Sequence, residues 1–269
     1  MRTNNHFNNK VTWITGASSG IGEALAYEMS AAGAMLILSS RRMDELERVK
    51  QACSDPSRVL LLQLDLADTA SLEGKVAEAV SCFGHIDIMV HNGGVTQRSL
   101  VIETGMEVHR RLMELDYFSY VVLTRALLPH FIARKAGHFV ITSSVMGKIG
   151  TPMRSAYAAA KHALHGFFDC LRAEVAADNI KVTILTPGYI RTNISLYAVT
   201  NKAYGLGKRS ENIDNGLPAD RAAKQILKAI KKGYFEPYIG RFGGERIALW
   251  LNRLAPGVLT RIAPKLIPK

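Results

Sequence analysis

The chain has 269 residues, 48% of them hydrophobic, 21% charged and 7% aromatic, which is enough for one large core and too poor in aromatics for a β-sandwich to be the natural reading. Three widely spaced cysteines, Cys53, Cys82 and Cys170, argue by their odd number against a disulfide framework and match no metal-ligand pattern. The net charge of +11 is compatible with nucleic acid, an anionic ligand or an acidic membrane surface, and alone selects none of them. The opening residues MRTNNHFNNK carry no apolar signal core, and no run approaches the ~18 consecutive apolar residues of a spanning helix. A soluble protein of a reducing, cytoplasmic compartment is expected.

Lys10 to Thr15, KVTWIT, reads as a first strand that stops at glycine. The following GASSGIGEALAYEMSAAG combines a glycine-rich turn with helical periodicity through Ile21, Leu25, Ala26 and Met29. Strand, glycine turn and helix in that order suit a phosphate-binding crossover, because missing side chains admit a pyrophosphate to the backbone and the helix N-terminus favours negative charge. Gly16, Gly20 and Gly22 stand in the spacing G-x-x-x-G-x-G. The second strand, Met35 to Ser40, leads into Arg41 and Arg42, about 20 residues beyond the glycines, where an α/β nucleotide-binding unit reads the adenosine ribose. No acidic residue is there to accept from a free 2′-hydroxyl. Arg41, helped by Ser40 and Arg42, suits a 2′-phosphate, so NADP(H) is expected over NAD.

VLLLQL at 59 to 64 is a buried parallel strand, and Asp65 after it either accepts from an adenine amino group or caps the helix expected over 69 to 83. Ile86 to Val90 is the fourth strand and runs into His91-Asn92-Gly93-Gly94; His91 is expected to pack or hydrogen-bond rather than to catalyse. Leu112, Leu115, Val122, Leu123, Leu127 and Phe131 predict one long helix over about 107 to 135, longer than a crossover needs and therefore a candidate subunit interface in a homodimer or homotetramer. Phe139 to Thr142 is the fifth strand and delivers Ser143 and Ser144 at its C-terminal end, where open α/β sheets place their sites. A helix over 155 to 177 then carries Tyr157 and Lys161 one turn apart on one face, and an ammonium beside a phenol stabilises the phenolate. Lys181 to Thr186 is a sixth strand ending at Pro187-Gly188. Residues 192 to 217 read as a substrate lid, 219 to 232 as a helix and 235 to 239 as a last strand. The segment 241 to 269 sets an apolar stripe beside six basic residues, which fits packing on the body, on a second subunit or in an anionic membrane interface.

Taken together, these motifs resemble the short-chain dehydrogenase/reductase family over residues 10 to about 240: TGASSGIG at 15 to 22, HNGG at 91 to 94, Tyr157 with Lys161, and Pro187-Gly188. The resemblance implies a single-domain Rossmann-type fold, a mainly parallel seven-stranded sheet with helices on both faces, forming a dinucleotide-binding and catalytic unit over 1 to 240 with a basic C-terminal extension. It implies hydride transfer between NADP(H) and a ketone or secondary alcohol. Ser144, 13 residues before the tyrosine, would hydrogen-bond the substrate oxygen, Tyr157 would move the proton, and Lys161 would hold the nicotinamide ribose. Ser18, Ser19, Ile21, Leu66, Asn92, Gly93, Ile190 and Thr192 complete the implied cofactor set. Val145, Met146, Met153 and Tyr189 are candidate walls for an apolar carbonyl or alcohol substrate. Asp116 departs from the family, which has an asparagine there in a proton relay. It either serves the relay or gives Lys161 a carboxylate neighbour. A catalytically weak dinucleotide-binding regulator is the alternative function, and a nucleic-acid partner is not expected.

Overall fold

The computed structural model describes residues 6–201, 207 and 210–266. In chain order its elements are β1 (Val11–Thr15), α1 (Gly20–Ala31), β2 (Met35–Ser40), α2 (Met43–Gln51), β3 (Val59–Gln63), α3 (Leu72–Phe83), β4 (Ile88–His91), α4 (Met106–Met113), α5 (Ser119–Arg134), β5 (Gly137–Thr142), α6 (Ser155–Glu174) and β6 (Ile180–Pro187). There follow β7 (Ile190–Arg191), α7 (Glu211–Asp214), β8 (Leu217–Pro218), α8 (Ala219–Lys232), β9 (Tyr238–Ile239), α9 (Gly244–Leu254) and α10 (Pro256–Ile262). The main sheet has the order β3-β2-β1-β4-β5-β6-β9 and every pairing in it is parallel. This is the doubly wound Rossmann-type fold that the motifs imply.

The strands are apolar on both faces because helices cover both. On β1, Trp13 joins one cluster and Ile14 the other; on β5, Phe139 and Ile141 face one side and Val140 the opposite one. The first cluster lies under α1 and α8 through Leu25, Met29, Ile226 and Ile230. The second lies under α3, α5 and α6 through Val76, Leu127, Phe131 and Phe168. The chain crosses from one half of the sheet to the other between β1 and β4, where only three positions pair: Thr12 with Ile88, Trp13 with Met89 and Ile14 with Val90. The site lies beyond the C-terminal ends of these two strands, at the switch point of the sheet.

The long helix expected over 107 to 135 is α4 and α5 joined by a π-helical turn at Glu114–Phe118. Continued as a plain α-helix at about 100° per residue, the buried stripe Tyr120, Leu123, Leu127 and Phe131 would stand roughly 90° around from the buried Val108 and Leu112. The extra residue of the π turn cancels that offset and brings both stripes onto the body. Asp65 does not cap α3: its Oδ1 accepts from the Ala67 amide at 3.0 Å, and the helix starts later, after Ser71.

Candidate functional site

A cavity of about 1170 Å³ runs from the glycine turn past the ends of β4 and β5 to α9 and α10. Gly16 and Gly20 have φ of 64° and 63°, the left-handed region glycine tolerates best. A Cβ on Gly16 would lie 2.5 Å from the Gly93 Cα, so the turn is pressed against the β4 loop. Gly22 lies behind the cavity wall; its hydrogen faces the Gly16 carbonyl oxygen, 2.4 Å from where a Cβ would stand, so it is a packing glycine and not a phosphate contact. Asn92 stitches the loop from the other side. Its amide donates to the Thr15 and Gly16 carbonyls at 3.2 and 3.3 Å, and its backbone N–H donates to Thr15 Oγ1 at 3.0 Å.

The remaining residues expected to hold the cofactor, Ser18, Ser19, Ile21, Ser40, Arg41, Arg42, Asp65, Leu66, Pro187, Gly188, Ile190 and Thr192, all line the cavity. Arg41 is exposed, and its carbonyl accepts from Gln63 Nε2. Arg42 is closer to the glycine turn, with Nη2 donating to Ser18 Oγ at 3.2 Å. A glycine turn pressed against the β4 loop, with two guanidinium groups at the rim of the cavity, fits an adenine dinucleotide.

Two serines end β5 and have different work. Ser143 is buried, its Oγ within 3.2 Å of the Lys161 carbonyl and 3.0 Å of His165 Nε2. Ser144 faces the cavity and its Oγ accepts from the Met146 amide at 3.1 Å, which leaves its O–H free to donate. Tyr157 lies on the first turn of α6 and lines the same cavity. One turn on, the buried Lys161 puts Nζ 5.7 Å from the centre of the Tyr157 ring and donates to the Thr142 carbonyl at 3.1 Å.

Asp116 is fully buried in the π turn. Its Oδ1 accepts from the Val95 amide at 2.8 Å, and its Oδ2 stands 3.4 Å from Lys161 Nζ without forming a hydrogen bond. Burial raises the Asp116 carboxyl from its ordinary value against the opposing pull of Lys161 and the Val95 amide. Burial also disfavours the Lys161 ammonium, but the Asp116 carboxylate, with smaller help from Tyr120 and Tyr157, outweighs it and holds the group above the usual lysine range. Lys161 is therefore charged at neutral pH. His91 packs as expected: it stacks on Tyr120, its Nε2 lies 2.9 Å from Thr124 Oγ1, and burial pushes it down to about 3.

Val145, Met146 and Tyr189 line the cavity, as Ser144 and Tyr157 do. Met153 does not. It sits in a left-handed turn (φ 66°) whose carbonyl accepts from the Ser99 amide, and the cavity position passes to Arg154. Arg154 is 7% exposed and has no carboxylate partner among the described residues; Nη1 donates to Thr96 Oγ1 and the Gln97 carbonyl at 2.7 and 2.6 Å. Burial lowers its pKa, and Arg98 adds to that. Gln97 in turn accepts the Ala156 amide at 2.8 Å, satisfying a free donor of the first turn of α6 beside Tyr157. Nothing in the spacing of polar residues marks this clamp.

The expected lid falls partly on 202–206, 208 and 209, outside the described residues. Within it, Val199 is tied to Thr96 and Arg98 by backbone hydrogen bonds, and Tyr197 lines the cavity. Further lining of the cavity comes from α9 and α10. Ala248 and Leu259 are buried against Val145 and Ile149, and Leu251 packs beside them.

A sequence model described as short chain dehydrogenase matches residues 10–203. A curated relative from Anopheles gambiae, named "Dehydrogenase/reductase SDR family protein 7-like", is 44% identical over 270 residues, covering 98% of this chain and 85% of its own. The crystal structure of a short-chain dehydrogenase from Streptomyces avermitilis superposes with a TM-score of 0.79 at 31% identity, covering 95% of each chain. The fold is also shared with a Burkholderia phymatum protein in complex with NAD (TM-score 0.81, 22% identity, covering 95% of this chain and 96% of that one). A Burkholderia cenocepacia protein in complex with NADP shares it too (TM-score 0.75, 24% identity, covering 95% and 98%).

Proposed function

The chain belongs to the short-chain dehydrogenase/reductase family of oxidoreductases, and from that premise we propose that it is an NADP(H)-dependent enzyme interconverting a ketone and a secondary alcohol on an apolar substrate. The observation that carries this reading is one cavity lined at one end by Arg41, Arg42 and the glycine turn and farther on by Ser144, Tyr157 and Lys161. Bound there, the nicotinamide supplies or accepts the hydride.

The chain's own residues orient the oxygen and move the proton. Ser144 donates its free O–H to the substrate oxygen, the proton on its other side being the Met146 amide's. Tyr157 gives its proton to that oxygen in reduction and takes it back in oxidation. Lys161 is held by Thr142 and Asp116, which leaves a donor for the nicotinamide ribose and a positive charge near the phenol. Arg41 and Arg42 favour NADPH because a 2′-phosphate gains charge-assisted hydrogen bonds that a free hydroxyl does not. Val145, Met146, Ile149 and Leu259 favour an apolar substrate body.

A panel of ketones assayed with NADPH and with NADH tests the proposal. Tyr157→Phe is expected to lower kcat by about 10²–10⁴-fold while NADPH binding persists. Arg41→Ala is expected to raise the KM for NADPH about tenfold relative to NADH. Retained turnover in the first variant would sink the proton-transfer role, and an unchanged KM ratio in the second would remove the case for NADP. A second reading, a dinucleotide-binding regulator with weak catalysis, is favoured by the contact between Asp116 and Lys161, and predicts no turnover of any ketone in the panel.

A further inference from the structure

The helices that wall the substrate end of the cavity have a second face. Ala248, Leu251 and Leu259 point inward, whereas Trp250 (59% exposed), Leu254 (77%) and Val258 face outward, with Phe242 beside them. Ile247 and Ile262 do both: each lines the cavity and is exposed, so the cavity rim runs into the outer apolar face. Such a contiguous apolar surface is unusual on a soluble body without a partner.

The exposed charges of this segment are of one sign. Arg241, Arg246, Arg253, Arg261 and Lys265 are exposed. The segment's one acid, Glu245, is turned inward, accepting from the Tyr189 amide at 2.9 Å and the Tyr238 hydroxyl at 3.3 Å. Arg246 lies over Phe242 and Trp250 at 5.5 and 6.0 Å, a cation held against the apolar stripe. A second copy of this face would bring like charges together. With 11 and 7 residues, α9 and α10 are too short to span a bilayer, which takes ~20. No helix among the described residues is long and apolar enough to cross a membrane.

We propose that α9 and α10 dock on an anionic phospholipid bilayer, lying in the interface with Trp250, Leu254 and Val258 among the acyl chains and the arginines at the headgroups. An amphipathic pair with tryptophan on its apolar face and arginine along its edges is suited to that position. Because the cavity rim belongs to the same face, docking presents the cavity mouth to the lipid. A lipid-dissolved carbonyl could then enter without crossing water. That last step rests on the oxidoreductase reading; the docking itself does not.

The test uses the full chain with phosphatidylcholine vesicles and with vesicles of 70% phosphatidylcholine and 30% phosphatidylserine. The expected result is co-sedimentation with the second only, weakening as salt is raised, together with a blue shift of tryptophan emission. Trp13, the other tryptophan, is fully buried, so the shift reports Trp250. Trp250→Glu with Leu254→Glu should abolish binding, and Arg253→Gln and Arg261→Gln should each weaken it about fivefold. Equal binding to both compositions, or to neither, would overturn the proposal. So would a concentration-dependent dimer that Leu254→Glu dissociates, since the face would then belong to a second copy. All these readouts are taken without turnover, so a failure of the catalytic reading leaves them standing.

Discussion

At position 116 a carboxylate stands where the family has an amide, and the structure places it 3.4 Å from Lys161 Nζ. Asp116→Asn keeps an oxygen for the Val95 amide and removes the charge that holds Lys161 above its usual range. Burial then acts on the ammonium against Tyr120 and Tyr157 alone and its pKa falls, so it is lost at lower pH. The alkaline limb of the kcat/KM profile for ketone reduction should therefore move to lower pH in the variant; an unmoved limb would mean that Asp116 does not set this charge. A variant that gains turnover would instead favour the regulator reading for the wild-type chain. The two serines show what sequence can resolve. The resemblance to the family singles out Ser144 by its distance from Tyr157, and the structure shows the physical difference, with Ser143 occupied by the Lys161 carbonyl and His165 and Ser144 free to donate. Arg154 had no such mark, because a buried arginine satisfied by a hydroxyl and a backbone carbonyl needs no partner of opposite charge in the sequence.

At the scale of elements, strands and crossover helices were legible because parallel strands buried on both faces read as continuous apolar runs. The π turn was not. Its trace in the sequence is the shift of roughly 90° between the stripe through Val108 and Leu112 and that through Leu123 and Leu127, a signal hidden when each is read as generic helical spacing. Deleting Phe118, an exposed residue of the turn, would convert the stretch to a regular helix with both stripes still inward. The deletion protein should retain cooperative melting and show the same downward shift of the alkaline limb as Asp116→Asn, because Asp116 is rotated away from Lys161; loss of folding would show that the turn is structural in its own right. The amphipathic pattern of the tail is visible in the sequence, but which residues form cavity wall depends on the fold carrying it back to Val145 and Ile149.

At the scale of the molecule, charged pairs join segments distant in sequence. Glu236 sits 2.8 Å from Lys148 Nζ and 3.5 Å from His165 Nδ1, binding the approach to β9 to the loop after β5 and to α6. Burial opposes its charge, but His165 and Lys148 prevail and bring it down to about 2. A carboxyl lowered on folding contributes stability above its unfolded value and loses it as pH falls through the folded one. Melting temperatures of wild type and Glu236→Gln should thus differ most near neutral pH and converge between about pH 4.5 and 2; a constant difference would argue against it. The three-position pairing of β1 with β4 has a further consequence. It is a seam between two half-sheets, and Gly16 and Asn92 face each other across its open end. Parting along the seam is a low-cost route to partial unfolding, and a ligand gripping both lips would act as a splint. At a hundredfold excess over its Kd, NADPH should slow hydrogen exchange at Trp13 and Val90 by up to about a hundredfold while leaving α10 unchanged. Nucleotide supply would then govern how long the protein survives proteolysis as well as how fast it works.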